Sequence, residues 1–356
     1  MRSSALAASL ITAAAAASLT AAGPSAAAVN GNRPSYAPEI STNGRYVVFT
    51  SDATNLVPGD TNGKRDVFLR DVVAKKTRLV SKVGAKLGNG NSYRPEVSDD
   101  GRYVLFLSDA TNLVARDTNG VTDAFRADLT TGSVVRVSVG SGNPGAQFPG
   151  VTSEAHMSAN GAAIVFHNEP PGTGGDTLYL RDQTAAPRTA PLSTYVGQSS
   201  ISPNGQYVAW DGNVWKRSAG QVTNIASRAD ATVASNAGGS YSWNYWDGWG
   251  TWNWVNVTAS PANLSFEWSA TDYGSTVPRF ELSTWGAMAA FQDPSFRSGP
   301  LIVVDATGTL YRKAVGIRPE EFAMAGNGKS MVYAAKTGQI MLWTFATNTA
   351  VPVSVS

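Results

Sequence analysis

The sequence contains no cysteine, so it offers no disulfide bond, no thiol nucleophile and no lipid-anchored cysteine. It has only two histidines, His156 and His167, and their spacing matches no short metal-binding motif. A net charge of +2 is close to neutral and indicates no basic surface for nucleic acid. Without disulfides the fold depends on a hydrophobic core, which a chain of 356 residues is long enough to bury.

The usual signatures of enzymatic chemistry are also missing. The stretch Gly326–Ser330 ends like a phosphate-binding loop, but Ala323 stands where that loop needs glycine, and a strand-like run follows instead of a helix. No Gly-x-Ser-x-Gly elbow occurs, and no pair of carboxylates is singled out for acid–base work. The two histidines are interpreted as isolated residues in or at the end of a strand. The sequence favours a binding protein over an enzyme without deciding between them.

The one long apolar run lies at the N-terminus. Arg2 precedes an Ala- and Leu-rich stretch, Ala5–Ala17, and Ala26–Ala28 fits an A-x-A cleavage site. This pattern predicts a signal peptide over residues 1–28 and a secreted, extracellular chain of residues 29–356. A membrane anchor is the alternative, since the Ala-rich block is about long enough to span a bilayer. After cleavage we expect a monomer with no membrane attachment.

One pattern of a polar turn followed by an apolar run recurs along the chain. It is clearest as PEISTNGRYVVF at Pro38–Phe49 and PEVSDDGRYVLF at Pro95–Phe106. Weaker copies follow, and the six turn glycines are Gly44, Gly101, Gly161, Gly205, Gly286 and Gly328. Glycine after Asn or Asp supplies the positive φ of a tight hairpin turn. The apolar runs are continuous, which predicts strands buried on both faces.

Two further strand-like runs follow each clear anchor, which gives four strands to a repeat. Six such repeats predict an all-β fold, a six-bladed β-propeller of four-stranded antiparallel blades. A β-sandwich with chance Asn-Gly turns is the alternative, but it does not account for six copies of one pattern. The residues 29–356 are therefore expected to form a single propeller domain.

The anchor Ser-x-Asp/Asn-Gly-x-Tyr-Val-x-Phe resembles the repeat of TolB-type propellers, which are related to WD-repeat propellers. The segment Asn-Leu-Val-x-x-Asp-Thr-Asn-Gly-x-x-Asp-x-Phe resembles an expanded form found in secreted bacterial proteins. The resemblance covers most of residues 29–356 and is weakest around Gly286, where Thr284-Trp285 replaces the usual polar pair. It implies a six-bladed propeller that binds proteins or ligands, and it implies no single activity.

A second repeated segment raises the question of metal binding. SDATNLVPGDTNGKRDVFLRD at Ser51–Asp71 and SDATNLVARDTNGVTDAFRAD at Ser108–Asp128 match at fourteen of twenty-one positions. Each contains Asp-x-Asn-Gly-x-x-Asp, and the candidate metal ligands are Asp60, Asn62, Asp66, Asp117, Asn119 and Asp123. Calcium takes oxygen ligands of this kind, and Asp52 and Asp109 or Asn55 and Asn112 could complete the site. The same residues would also serve in a plain turn.

The longest gap between anchors carries a Trp-rich insertion at about residues 229–275. The candidate ligand-binding residues are Trp243, Trp246, Trp249, Trp252 and Trp254. Thr251–Thr258 and Leu264–Ser269 are predicted to form a β-hairpin, which could also belong to a degenerate extra blade. Exposed tryptophans would offer a platform for sugars or peptides, whereas buried ones would only cover the propeller edge.

These features point to one binding face. In a four-stranded blade, the loop between the second and third strands and the loop leaving the fourth strand open on the same side. The Asp-x-Asn-Gly loops, the Trp-rich insertion and Gly84–Asn91 should therefore share a face. The sequence predicts a protein or an extracellular or cell-wall polysaccharide as the partner, with calcium as the one candidate cofactor. A propeller hydrolase or lyase, carbohydrate-active or lactonase-like, is the alternative.

Overall fold

The computed structural model describes the backbone of residues 29–142, 145–194, 197, 199–211, 213–224, 229–234, 241–246, 251–257, 265–269, 280–282, 288–292, 301–305, 310–313 and 317–356. Side chains are described for those residues up to 223 and from 321 onward. The predicted signal peptide, residues 1–28, lies outside the described residues. Within the described ranges no helix is long and apolar enough to cross a membrane.

The described chain is all-β and contains seven four-stranded antiparallel sheets, numbered here in chain order. The first four are made of β1 (Ser35–Ile40), β2 (Tyr46–Ser51), β3 (Asp66–Asp71) and β4 (Lys76–Leu79); β7 (Ser92–Val97), β8 (Tyr103–Ser108), β9 (Asp123–Asp128) and β10 (Ser133–Arg136); β11 (Val151–Met157), β12 (Ala163–Glu169), β13 (Thr177–Asp182) and β14 (Arg188–Thr194); and β15 (Ser199–Ile201), β16 (Tyr207–Trp210), β17 (Asn213–Lys216) and β18 (Gln221–Asn224). The short strands β5 (Lys82–Val83) and β6 (Lys86–Leu87) form a hairpin between the first two sheets.

The remaining three sheets follow the same order of strands. They are made of β19 (Ala229–Ala234), β20 (Tyr241–Trp246), β21 (Thr251–Val257) and β22 (Ser265–Ser269); β23 (Phe280–Leu282), β24 (Met288–Gln292), β25 (Leu301–Asp305) and β26 (Leu310–Lys313); and β27 (Ile317–Met324), β28 (Ser330–Ala335), β29 (Ile340–Thr344) and β30 (Thr349–Pro352).

The fifth sheet corrects the predicted count of six. It is built by the segment predicted as an insertion, and β21 pairs antiparallel with β22 as the predicted hairpin requires. The connection before β20 reads SNAGGS and contains two glycines, but it has no Asn-Gly or Asp-Gly pair of the kind that marks the clear repeats, so the count of turn glycines missed it.

Strands buried on both faces contribute to separate apolar clusters, one on each side, between neighbouring sheets. In β2, Val47 and Phe49 pack in a cluster with Val332 of the last sheet, whereas Val48 packs with Phe106 of the second. All four of these β2 and β8 side chains are fully buried. This confirms, for the run after Gly44, the prediction that the apolar runs after the turns are covered on both sides.

The first and last sheets of the chain are in direct contact. Besides the shared cluster around Val47, the backbone N–H of Gly31 donates to Ser354 O at 3.2 Å, and Ser356 N donates to Val29 O at 3.0 Å. The ends of the described chain are therefore paired with one another.

The recurring turns have the predicted conformation. Gly44 and Gly101 have φ of +78° and +70°, and in the first turn the Asn43 side chain accepts a hydrogen bond from the backbone of Arg45. The Tyr46 ring of the first sheet fills the space beside Gly101, because a Cβ there would lie 2.6 Å from that ring. These glycines thus serve both the turn and the contact between sheets.

Candidate functional site

The first strands of consecutive sheets contact one another and carry acidic residues at an irregularity. The register of β1, β7 and β11 shifts immediately before Glu39, Glu96 and Glu154. The shifts in β1 and β7 coincide with positive φ at Ala37 and Arg94. Such bulges turn the strand and re-aim the next side chain.

Two of these glutamates meet both histidines of the chain. His156 Nδ1 lies 2.5 Å from Glu96 Oε1, and His156 Nε2 lies 3.3 Å from Glu154 Oε1. His167 Nε2 lies 3.3 Å from Glu154 Oε2 and 2.8 Å from the Ser199 hydroxyl. We call Glu96, Glu154, His156, His167 and Ser199 the inner cluster. It links the second, third and fourth sheets.

Partners on every side hold the inner cluster in place. Glu96 Oε2 accepts the backbone N–H of Met157 at 2.6 Å, and His167 Nδ1 lies 3.0 Å from Asp176 Oδ2. The His167 side chain is 1% exposed, whereas that of His156 is 28% exposed. His156 is therefore the more exposed of the two side chains, although its Nε2 atom is buried and has no hydrogen-bond partner among the described residues.

The charges in the inner cluster shift the pKa values of His156 and Glu154 away from neutral pH. Burial by itself would lower the pKa of His156, but the negative charges of Glu96 and Glu154 outweigh it and hold that pKa well above its ordinary value. Burial opposes ionisation of Glu154, yet its interactions with His156 and His167 bring its pKa down to about 2. At neutral pH His156 is an imidazolium ion and Glu154 a carboxylate.

These residues were missed as a group by sequence reasoning. His156 and His167 were interpreted as isolated residues, and the structure corrects this, because Glu154 lies within 3.3 Å of both. One signal was present: Glu96 and His156 each stand five residues before a turn glycine, so they occupy the same place in neighbouring repeats.

The first Asp-x-Asn-Gly loop is closed by hydrogen bonds but leaves two carboxylate oxygens unused. Asn62 accepts the backbone N–H of Lys64 at 3.1 Å and donates to Gly88 O at 3.1 Å. Asp66 accepts a hydrogen bond from the Ser81 hydroxyl through Oδ1. Its other oxygen, Oδ2, and Oδ1 of Asp60 are buried without a hydrogen-bond partner.

Burial and mutual repulsion disfavour charge on these two carboxyls. Burial raises the pKa of Asp60. Burial is also the main cause that raises the pKa of Asp66 to about 6; the negative charge of Asp60 adds to it, and Ser81 and Asn62 oppose it. Asn62 lies near Asp66 and lowers its pKa. Its amide N–H, however, donates to the backbone oxygen of Gly88, so Oδ2 of Asp66 receives no hydrogen bond from it.

The second Asp-x-Asn-Gly loop has the same layout with a cation of its own. Arg136 Nη1 lies 3.1 Å from Asp117 Oδ1 and 3.1 Å from Asp123 Oδ2. Asn119 donates to Asp123 Oδ2 at 3.1 Å and to Phe148 O at 3.0 Å. A guanidinium thus lies between the two aspartates that sequence reasoning selected as metal ligands.

The residues expected to complete a calcium site are engaged elsewhere. Asp52 binds Arg65 at 2.9 Å, and Asp109 accepts the Tyr93 hydroxyl at 2.6 Å. Asn55 and Asn112 donate to the backbone oxygens of Asn30 and Leu87. The repeated Asp-Ala-Thr-Asn segment is therefore hydrogen-bonded to the residues that precede the first strand of the same sheet, β1 in the first sheet and β7 in the second. No cluster of three or more His, Asp or Glu in metal-binding geometry occurs among the described residues.

The two Asp-x-Asn-Gly loops meet the segment Gly84–Asn91 on one side, as the sequence predicts, whereas the place of the Trp-rich segment on this face stays a prediction. The bonds from Asn62 to Gly88 and from Asn112 to Leu87 join the loops after β2 and β8 to the connection that leaves β4. We call the side formed by residues 52–65, 80–91 and 109–122 the loop face.

A cleft opens beside the first loop, between the outer strands of the first and second sheets. Its volume is about 620 Å³, within the range of about 300–1,000 Å³ typical of ligand sites. Its lining includes the apolar residues Val57, Leu79, Leu87, Leu129 and Val134 and the charged residues Arg78, Lys82 and Asp128. This combination of apolar surface with a few charges suits a polar ligand with apolar parts.

The predicted tryptophan platform falls in strands rather than in a loop. Trp243 and Trp246 belong to β20, and Trp252 and Trp254 belong to β21. Trp246 is the register partner of Trp252 across the two strands. Trp249 lies outside the described residues. The role of these tryptophans in binding stays a prediction.

The comparison with solved structures shows the fold. No family model matches the chain, and no curated protein matches it. A prolyl endopeptidase aligns with a TM-score of 0.61 and 12% identity over 90% of this chain and 49% of that chain. An oligogalacturonate lyase of Vibrio parahaemolyticus aligns at 0.54 and 11% over 87% and 88%, and the hydrazine synthase of Kuenenia stuttgartiensis at 0.54 and 12% over 89% and 97%. With the consecutive four-stranded sheets, these likenesses define a β-propeller fold, and at such identities they show nothing further.

Proposed function

We propose that this chain is a secreted binding module of the TolB-like propeller type, and that it recognises a protein or an extracellular or cell-wall polysaccharide on the loop face. The Ala-rich N-terminal run and its A-x-A site support export. The cleft beside Asp60 supplies a surface of suitable size and mixed polarity.

The observation that carries the choice of binding over catalysis is the state of the inner cluster. A general acid or base works best with a pKa near the working pH. The pKa of His156 lies well above that range and the pKa of Glu154 is about 2. The contacts of His156 with Glu96 and Glu154, at 2.5 and 3.3 Å, join the second sheet to the third, which supports a structural role for the pair.

A propeller hydrolase or lyase is the second candidate, and one observation favours it. Glu96, Glu154 and His156 converge on the first strands of the sheets, where a propeller enzyme would need acidic and His side chains. One of the solved structures above is an oligogalacturonate lyase, so an acidic polysaccharide is a sensible first substrate to offer.

A single assay separates the two candidates. The protein is incubated with polygalacturonate, peptidoglycan and a protein array; bound protein is measured by co-sedimentation or array signal, and products are followed by reducing ends and by the absorbance of unsaturated sugars. We expect saturable binding without products. Product formation that disappears in Glu154→Gln would overturn the binding proposal in favour of an enzyme.

The cleft can be tested with variants that change the same charge in different places. Arg78→Ala plus Lys82→Ala removes two cations that line the cleft. Lys216→Ala plus Lys329→Ala removes two exposed cations on other sheets. Only the first pair should weaken binding of an acidic ligand, by about tenfold or more. Equal weakening by both pairs would mean that the cleft is not the binding site.

A further inference from the structure

The two Asp-x-Asn-Gly loops differ at one buried position. Arg136, which lies between the aspartates of the second loop, pairs in register with Phe125. In the first sheet the equivalent partner of Phe68 is Leu79. The first loop therefore keeps both aspartates and lacks the cation that neutralises them in the second.

The unused oxygens of the first loop are buried, and the two carboxyls are near enough for the charge of Asp60 to act on Asp66. Asp60 is 6% exposed and Asp66 is 0% exposed, and each has one oxygen without a hydrogen-bond partner. In the second loop the equivalent oxygens converge on a single nitrogen, Arg136 Nη1. Two buried carboxylates without a positive partner are unfavourable, so either a cation must bind between them or one of them must be protonated.

The backbone supports the same equivalence. Gly59 and Arg116 stand at corresponding positions, and both have left-handed backbones, with φ of +82° and +61°. The carbonyl of Arg116 accepts a hydrogen bond from Arg136 Nη2 at 3.3 Å. The Gly59 carbonyl is then a third candidate oxygen for whatever occupies the first loop.

We propose that the first loop binds one calcium ion between Asp60 and Asp66, and that Arg136 takes the place of this ion in the second loop. The donors are all oxygens and lie on an irregular loop, where carbonyls and water can complete a flexible coordination shell, which suits Ca²⁺ better than Mg²⁺. The site goes beyond the proposed binding function and does not depend on it, because its role is to hold the loop beside the cleft.

The test is a thermal melt of the protein in EGTA and then in excess CaCl₂, with NaCl and MgCl₂ at matched ionic strength. Binding at a hundredfold excess over Kd should raise the Tm by about 3–5 °C. Asp60→Asn should abolish the rise. Asp117→Asn, the same change in the second loop, should leave the rise intact, and titration calorimetry should give one ion per chain.

Two substitutions exchange the residue that distinguishes the two loops. Leu79→Arg should fill the first loop and remove the calcium response. Arg136→Leu should open the second loop and raise the stoichiometry from one ion to two. If either variant fails to fold, the response of Asp60→Asn still decides the matter.

Three results would overturn the proposal. One is the absence of any calcium-specific rise in the unmodified protein. Another is a rise that persists in Asp60→Asn. The third is an Asp60→Asn variant that melts higher than the unmodified protein in EGTA while calcium has no effect on either, since the pair would then hold a proton. Ligand binding in the assays above does not bear on any of them.

Discussion

His156 Nδ1 lies 2.5 Å from Glu96 Oε1, so an ion pair joins β11 to β7 across 60 residues of chain. Neither side chain is more than 28% exposed, and the imidazolium also faces Glu154. His156→Gln would leave two carboxylates close together without their cation. We expect a loss of about 1–3 kcal/mol in the free energy of unfolding at pH 6, measured by urea denaturation.

The same variant should change the pH dependence. The pKa of His156 is raised in the folded state, so its contribution is complete below about pH 6.5 and is lost as pH rises through the folded value. The gap between the unmodified protein and His156→Gln should therefore narrow towards alkaline pH. Arg188→Gln, an exposed change in the same sheet, should show no such trend. A gap that stays constant from pH 6 to alkaline pH would contradict the ion pair.

Gly101→Ala should be more costly than Gly132→Ala. The two glycines have nearly equal φ, +70° and +72°, so the backbone penalty of about 1–2 kcal/mol is shared. A Cβ at Gly101 would lie 2.6 Å from the Tyr46 ring, whereas one at Gly132 would have nothing within 4 Å. We expect an additional loss of about 1–3 kcal/mol for Gly101→Ala, measured by chemical denaturation. Equal losses would show that the ring moves aside freely.

Deleting Val351–Ser356 should destabilise the propeller. Val353 and Val355 are buried, and Val355 O accepts hydrogen bonds from Thr77 and Arg70 of the first sheet. Losing two buried valines costs about 3–6 kcal/mol before the hydrogen bonds are counted, so the Tm should fall by about 5–10 °C. Val351→Ala, at an exposed position of the same segment, should be nearly neutral. An unchanged Tm after the deletion would mean that the first and last sheets do not support each other.

Ser138→Ala should cost more than Ser354→Ala. Ser138 donates to the buried Asp123 and accepts the backbone N–H of Ala124, at 2.6 and 3.1 Å. Ser354 accepts the equivalent N–H, from Ile340, at 3.0 Å, and Gln339 stands where the first two repeats have Asp66 and Asp123. Removing a partner from a buried carboxylate costs about 1–3 kcal/mol, against about 1 kcal/mol for a backbone hydrogen bond. Denaturant midpoints would reveal the difference, and the reverse order would contradict it.

The repeats made most of the fold predictable. A turn glycine after Asn or Asp and a continuous apolar run such as Tyr46–Phe49 are local signals, and each is repeated, so chance cannot mimic them. The fifth sheet was harder to predict because the stretch before Tyr241–Trp246, SNAGGS, has glycines but no glycine directly after Asn or Asp. Its hairpin could be located but not counted as a blade.

The candidate site was less predictable, because it depends on side chains that meet only in the folded chain. Glu96 and His156 are 60 residues apart, and no local spacing reveals their pairing. The aspartates of the two repeated loops look alike in the sequence. The two loops differ at the position thirteen residues after their last aspartate. This position is Leu79 for the loop that ends at Asp66, and Arg136 for the loop that ends at Asp123. Only the pairing of the third and fourth strands, which sets Leu79 opposite Phe68 and Arg136 opposite Phe125, shows that the two positions are equivalent.

The pairing between residues 29–31 and 354–356 has a kinetic consequence. The hydrogen bond from Val29 N to the Ser356 hydroxyl spans 327 residues of sequence. Contacts of such separation form slowly, because the whole intervening chain must be brought into place first. Until then β1 and β2 lack the neighbour that covers Val47 and Phe49, and their apolar side is open to the wrong partners. We therefore expect refolding to be limited by the arrival of the last strand at the first sheet.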